Sequence, residues 1–405
     1  MKSNVLKNKI LFVVACALRS AALLCATGSL MQTFLSVLGF SASEIYIHSS
    51  VLQAANVLTI LLGARFADRS SPIRRAAFTG LLTGVFFFAY LPLCIARSTG
   101  MGAFALLLAV SIAQAVFVAL HTVCDYKVPY FIFKIEEYGG VTALSGIVIA
   151  GVTFAVGALV TALSTRFDYI ALMLFGFCIA GLLMLASGVL EARLRSLIDM
   201  EAVQEDGKDE KKHVRLLDVF RHPAFSSLLL AHLFRGFTGG VITVLATVAF
   251  ELGFNETVTS AMVSVSSVAM LTACTLYGLS ARHIHPRFVI FVGCLLTLLL
   301  PTVFIIKNPI LFLAVYAAIF FGRTLVDYAV PTAMVYVVPV EIAGPYNAWR
   351  MVLNNGGMLL STAVAVFIPT AALIWVAAAL SLAAGLFYLL ARVMRKSSLR
   401  VSEQI

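Results

Sequence analysis

EARLRSLIDMEAVQEDGKDEKKHVRLLDVFRHP, residues 191–223, is the longest polar stretch of the chain. Its middle, EDGKDEKK, reads as a solvated linker. VRLLDVF reads either as a short amphipathic helix on a membrane face or as a plain connector. On both sides the composition inverts. Of 405 residues, 61% are hydrophobic and only 12% charged, with mean hydropathy +1.00, against about 25% charged in an ordinary soluble domain. Apolar runs of about 20 residues, the length a helix needs to cross the hydrocarbon core, recur throughout, and no alternating barrel-strand pattern interrupts them. Twelve spans are predicted, at 10–35, 45–64, 76–96, 102–126, 140–164, 167–190, 224–249, 257–280, 287–306, 309–336, 346–368 and 370–391. The polar stretch therefore separates six from six. The expected fold is an all-α membrane protein with an N-terminal six-helix bundle at 1–192, a linker at 193–222 and a C-terminal six-helix bundle at 223–405.

The net charge of +10 suggests nucleic acid until the 29 lysines and arginines are sorted by loop. Twenty-two fall on one side of the predicted spans, three (Arg97, Arg166, Lys307) on the other, and Arg19, Arg235, Arg323 and Arg350 lie inside spans. This is the positive-inside asymmetry. It predicts a multi-pass protein of the cytoplasmic membrane with both termini and the linker in the cytoplasm, and no nucleic-acid partner. The first span is too long for a cleaved signal peptide and is expected to stay as an anchor. The cysteines, at 16, 25, 94, 124, 178, 274 and 294, have neither metal-ligand spacing nor a disulfide framework and read as small core residues.

The halves repeat. LGFS at 38–41 matches LGFN at 252–255, and Pro72 and Pro286 share the same offset of 214 residues. DYKVP at 125–129 matches DYAVP at 327–331 at the end of the fourth span of each half. Parallel six-span repeats are a transporter architecture with the solute site between halves near the midplane.

The loop after the second span, GARFADRSSPIRR at 63–75, resembles the signature of the major facilitator superfamily, Gly-x-Leu-Ala-Asp-Arg-x-Gly-Arg-Arg. Ala67, Asp68 and Arg69 match, Arg74 and Arg75 supply the basic end, and Phe66 and Ser71 depart from it. The resemblance implies a secondary transporter working by alternating access, with spans 1, 4, 7 and 10 lining a central cavity. It implies conformational-switch roles for Asp68, Arg69 and Arg75. An arginine in each of spans 1 and 7, and the loop DRSSPIRR, are also similar to the organophosphate:phosphate antiporters. That family's basic residue in span 2 and histidine in span 5 have no counterpart here. Two hallmarks of the drug:proton antiporters are likewise absent from spans 4 and 5.

On the implied cavity helices lie Arg19, His121 with Asp125, Arg235, and Arg323 with Asp327. The last two pairs are spaced i,i+4 and share a helix face. Arg19 and Arg235 sit roughly 14–18 Å deep at about 1.5 Å per residue, where an arginine costs about 2.5–3.5 kcal/mol or more. Neither span 1 nor span 7 supplies a carboxylate. The reading is that one small organic anion bridges both guanidinium groups, the alternative being ion pairs elsewhere in the bundle. His121 reads as a proton carrier or as a histidine satisfied by Asp125. Arg323 and Asp327 read as an intrahelical pair or as gate or coupling residues. Asp125 and Asp327, near helix ends, read as salt-bridged inner-gate residues or as coupling residues, and Arg350 joins that gate. Gln53, Asn56, Gln114, Tyr316 and Asn354 are further cavity candidates, with Gln32 and Asn355 beside them.

No enzyme motif and no phosphate loop appears, so neither catalysis nor ATP-driven transport is expected, and no cofactor or metal. The expected partners are a small-molecule substrate, a proton or counter-anion, and the bilayer, with the chain acting as a monomer. A neutral-solute or sugar porter and a non-transporting protein of the same fold are the alternatives.

Overall fold

The computed structural model describes all residues except 1, 27, 64–71, 126–127, 129–131, 134, 197–222, 281–283, 336–339 and 391–405. Asp68 and Arg69 lie outside the described residues. Among those described, all regular structure is helical, and eleven helical segments are long and apolar enough to cross a membrane. In chain order the helices are α1 (Lys2–Ala26), α2 (Gly28–Leu38), α3 (Ala42–Gly63), α4 (Pro72–Phe88), α5 (Leu91–Ala96), α6 (Met101–Asp125), α7 (Ile135–Ser164), α8 (Tyr169–Ala192), α9 (Pro223–Thr243), α10 (Leu245–Glu251), α11 (Glu256–Ser280), α12 (Pro286–Leu296), a 3₁₀ segment (Thr297–Phe304), α13 (Pro309–Val335), α14 (Val340–Val364) and α15 (Thr370–Leu390). α14 has a spanning length of 25 residues but a more polar composition. It fits as the twelfth span.

Local breaks follow from local chemistry. α4 gives way to α5 at Ala89 and Tyr90, where Pro92 opens the new helix and has no amide hydrogen for the old ladder. Pro301 has the same deficit, and the ladder around it tightens to the 3₁₀ form.

The chain divides into two compact units. One comprises Met1–Lys212 with Asn255–Ser264, the other His213–Phe254 with Val265–Ile405. In the first unit Phe34, Phe87, Tyr90 and Phe177 are fully buried, with Tyr90 stacked on Phe177 at 4.9 Å. In the second, Leu228, Ile290, Ala329, Tyr346 and Tyr388 form the core. Large apolar side chains such as Phe175 and Trp375, each 65% exposed, point outward. Buried faces instead carry glycine, alanine, serine and threonine. That inversion is what lipid demands, since helices there associate by close backbone approach rather than by hydrophobic exclusion. α9 against α14 is the tightest case: a Cβ on Gly236 would collide with the carbonyl oxygen of Asn354, and one on Gly357 with that of Leu233.

Candidate functional site

In the first unit, Asn8 of α1 bonds the chain leaving α8. Its Nδ2 donates to the Arg195 carbonyl at 2.8 Å, and its Oδ1 accepts from the Arg195 amide at 3.2 Å. Ser187 Oγ donates to the Ala15 carbonyl at 2.9 Å. These bonds pin the end of α8 to α1 and set Glu191 opposite Arg19. Gly80 of α4 leaves room at the same level, since a Cβ there would touch His121 and Glu191 at 3.4 and 3.6 Å.

The result is a four-residue charged cluster. Arg19 Nη1 donates to Glu191 Oε1 at 2.7 Å, and Nη2 to Asp125 Oδ2 at 2.7 Å. The side chains of Arg19, Asp125 and Glu191 are 13%, 26% and 5% exposed. His121 Nε2 lies 2.9 Å from Glu191 Oε2 and 3.1 Å from Arg19 Nη1. That nitrogen has two exclusive roles: bare, it accepts from Arg19; protonated, it donates to Glu191.

This corrects the reading of Arg19. Its countercharge comes from the protein, from α6 and α8, and leaves a transported anion nothing to neutralise. The proposed bridge from Arg19 to Arg235 loses its first arm. His121 is likewise satisfied by Glu191 and Arg19, not by Asp125. Glu191 was assigned to the polar linker, yet it is the penultimate residue of α8 and only 4% exposed. Its signal was helical spacing: Met184, Ser187, Gly188 and Glu191 fall at i, i+3, i+4 and i+7 and are all buried.

In the second unit a cavity of about 140 Å³ opens among α9, α12, the 3₁₀ segment, α13, α14 and α15. Arg235, Arg323, Asp327, Asn354, Thr238 and Ser381 line it. It has room for a small polar group rather than for a drug-sized molecule. Arg235 Nη2 pairs with Asp327 Oδ1 at 3.1 Å, whereas the i,i+4 partner, Arg323 Nε, is 3.8 Å from Asp327 Oδ2. Arg323 Nη1 also donates to the Gly239 carbonyl at 3.3 Å. Asp327 thus belongs to the cavity, two helical turns before the end of α13, rather than to a helix-end gate. Arg235 Nη1 is buried and has no hydrogen-bond partner. Two arginines face one aspartate here, so the cavity keeps one positive charge. The first-unit cluster sets two carboxylates against one arginine.

The remaining candidates scatter. Gln114 is buried and accepts from the Tyr90 hydroxyl at 2.8 Å, in a network with Ser111 and His48. Tyr316 is buried and bonded to Ser266. Gln53 and Asn56 are half-buried on α3, Gln32 is buried on α2, and Asn355 is half-buried beside Asn354. Arg75 opens α4 and is half-buried. Arg350 lies one turn beyond Tyr346 on α14, close to His232 and Tyr346.

Helix order, two units and charged residues on the fourth and tenth spans define the major facilitator fold, as the 63–75 signature implied. Solved structures with this fold match nearly end to end. The nucleoside transporter NupG matches at TM-score 0.67 and 12% identity, over 96% of this chain and 99% of its own. A D-xylose-proton symporter matches at 0.68 and 16%, over 95% and 97%. A bacterial homologue of the iron transporter ferroportin in an inward-facing state matches at 0.69 and 15%, over 95% and 98%. No protein-family model matches the chain, and no curated protein matches it in sequence.

Proposed function

We propose that this chain is a secondary active transporter that moves a small organic anion across the cytoplasmic membrane by alternating access, as a monomer with both termini in the cytoplasm. The observation that carries the reading is Arg235 Nη1, a buried donor without a partner in a cavity that keeps one positive charge. A buried unsatisfied donor costs about 1–3 kcal/mol, more when charged, and an anionic group on the solute removes that cost. Arg323 supplies the second guanidinium, and Asn354, Thr238 and Ser381 supply neutral hydrogen-bonding groups. Arg19 drops out as a ligand.

The first-unit cluster supports proton coupling. A proton arriving on His121 Nε2 turns an acceptor for Arg19 into a donor to Glu191 and brings a positive charge beside the guanidinium. Arg19 is then biased towards Asp125, which is the kind of two-state element that coupling requires. Asp68, Arg69, Arg75 and Arg350 are proposed as the switch and gate residues.

The test is uptake into proteoliposomes, with and without an imposed proton gradient, from a panel of labelled small carboxylates, phosphate esters and neutral sugars. The reading expects uptake of an anionic solute that is lost in Arg235→Gln. Uptake of a neutral sugar that is indifferent to Arg235→Gln would overturn it, as would no uptake of any solute.

A further inference from the structure

We infer that Tyr388, His232 and Tyr346 form a directed hydrogen-bond chain that positions Arg235, with its far end fixed on α14. The consequence for transport rests on Arg235 being the anion ligand; the positioning itself does not. Tyr388 Oη is hydrogen-bonded to Arg235 and lies 2.8 Å from His232 Nδ1. His232 Nε2 lies 3.1 Å from Tyr346 Oη. The imidazole is held edge-on between the two rings, with centroids at 5.6 and 6.1 Å. His232, Tyr346 and Tyr388 are 0–1% exposed, so no water takes the place of any of these partners.

The direction follows from chemistry. A guanidinium only donates, so the Tyr388 oxygen accepts from Arg235. The Tyr388 hydrogen must then go to His232 Nδ1, which is therefore bare. The imidazole carries its proton on Nε2 and donates it to the Tyr346 oxygen. An imidazolium would place a second donor against the Tyr388 hydroxyl, strand that hydroxyl's hydrogen in a dry core, and add a charge next to Arg235 and Arg350. One arrangement satisfies every group.

The chain is asymmetric in its use of Arg235. Tyr388 and Asp327 hold the guanidinium, while Nη1 is left aimed at the cavity without a partner. A freely rotating arginine would swing Nη1 onto whichever acceptor came nearest, Asp327 included, and the solute would have to compete for it. Tyr388, His232 and Tyr346 touch no cavity volume. They are positioning residues.

The test needs no substrate. Full-length protein in detergent is labelled with methylglyoxal, a small arginine-directed reagent, and modification at Arg235 and Arg323 is quantified by mass spectrometry. Tyr388→Phe keeps the ring and its packing and removes only the oxygen. Losing a hydrogen bond to a charged group should raise the labelling rate at Arg235 by about ten- to a hundredfold, with Arg323 unchanged within about twofold. Tyr346→Phe, at the far end, should raise it by a smaller factor in the same direction. No change at Arg235 in Tyr388→Phe overturns the inference. So does an equal rise at both arginines, which reports general loosening of the unit. Uptake by Arg235→Gln judges the transport reading separately, so loss of one conclusion leaves the other standing.

Discussion

Arg19→Gln separates the two accounts of the first-span arginine. If a solute supplied its countercharge, glutamine would spare the fold. The structure requires the reverse. Arg19 holds Glu191 and Asp125 at 2.7 Å each, and Glu191 is 5% exposed. Removing the cation leaves two carboxylates about a single gap. Breaking a buried ion pair from one side costs about 3–5 kcal/mol, because the remaining charge is stranded. Asp125 is 26% exposed and contributes less, while the glutamine amide returns part of the loss by donating to one carboxylate. A net loss of about 3 kcal/mol is expected. The assay is thermal melting of purified protein in detergent, run beside Glu191→Gln and the double variant. The double variant removes the stranded charge and should melt above Arg19→Gln, a rescue that only contacting residues give. A wild-type melting temperature for Arg19→Gln with lost solute uptake would refute the reasoning and restore Arg19 as a ligand. Two losses that simply add would refute the contact.

Three further outcomes follow from the same geometry. His121→Gln should abolish solute accumulation against a gradient while leaving solute exchange intact; loss of both or of neither removes His121 from coupling. Asp327→Asn leaves the cavity with two uncompensated guanidinium groups, so carboxylate affinity should rise. Asp327 is 41% exposed, and the melting temperature should therefore fall by less than in Arg19→Gln; a larger fall would make Asp327 a structural anchor. Gly236→Ala should destabilise by about 1–3 kcal/mol through the collision with the Asn354 carbonyl, and an unchanged melting temperature would mean that α9 and α14 pack less closely than described.

The sequence by itself determined the spans and their order. Hydropathy is a sum over neighbours along the chain, and a helix in lipid satisfies its own backbone, so each span is decided locally. The predicted 102–126, 257–280 and 370–391 became Met101–Asp125, Glu256–Ser280 and Thr370–Leu390. The spacing that puts Arg323 and Asp327 on one helix face was equally legible. Ion pairing between helices was not. Arg19 and Glu191 are 172 residues apart and Arg19 and Asp125 are 106 apart. Whether such groups meet depends on the depth and rotation of each helix, which packing against its neighbours sets. Asn8 on Arg195, Ser187 on Ala15 and the bare face of Gly80 decide that Glu191 turns inward rather than into the linker. The same holds for Asp327, which spacing assigned to Arg323 and tertiary structure brought closer to Arg235. The sequence could place each charge within the membrane; only helix packing determined which charges neutralise one another and which donor, on Arg235, was left for a solute.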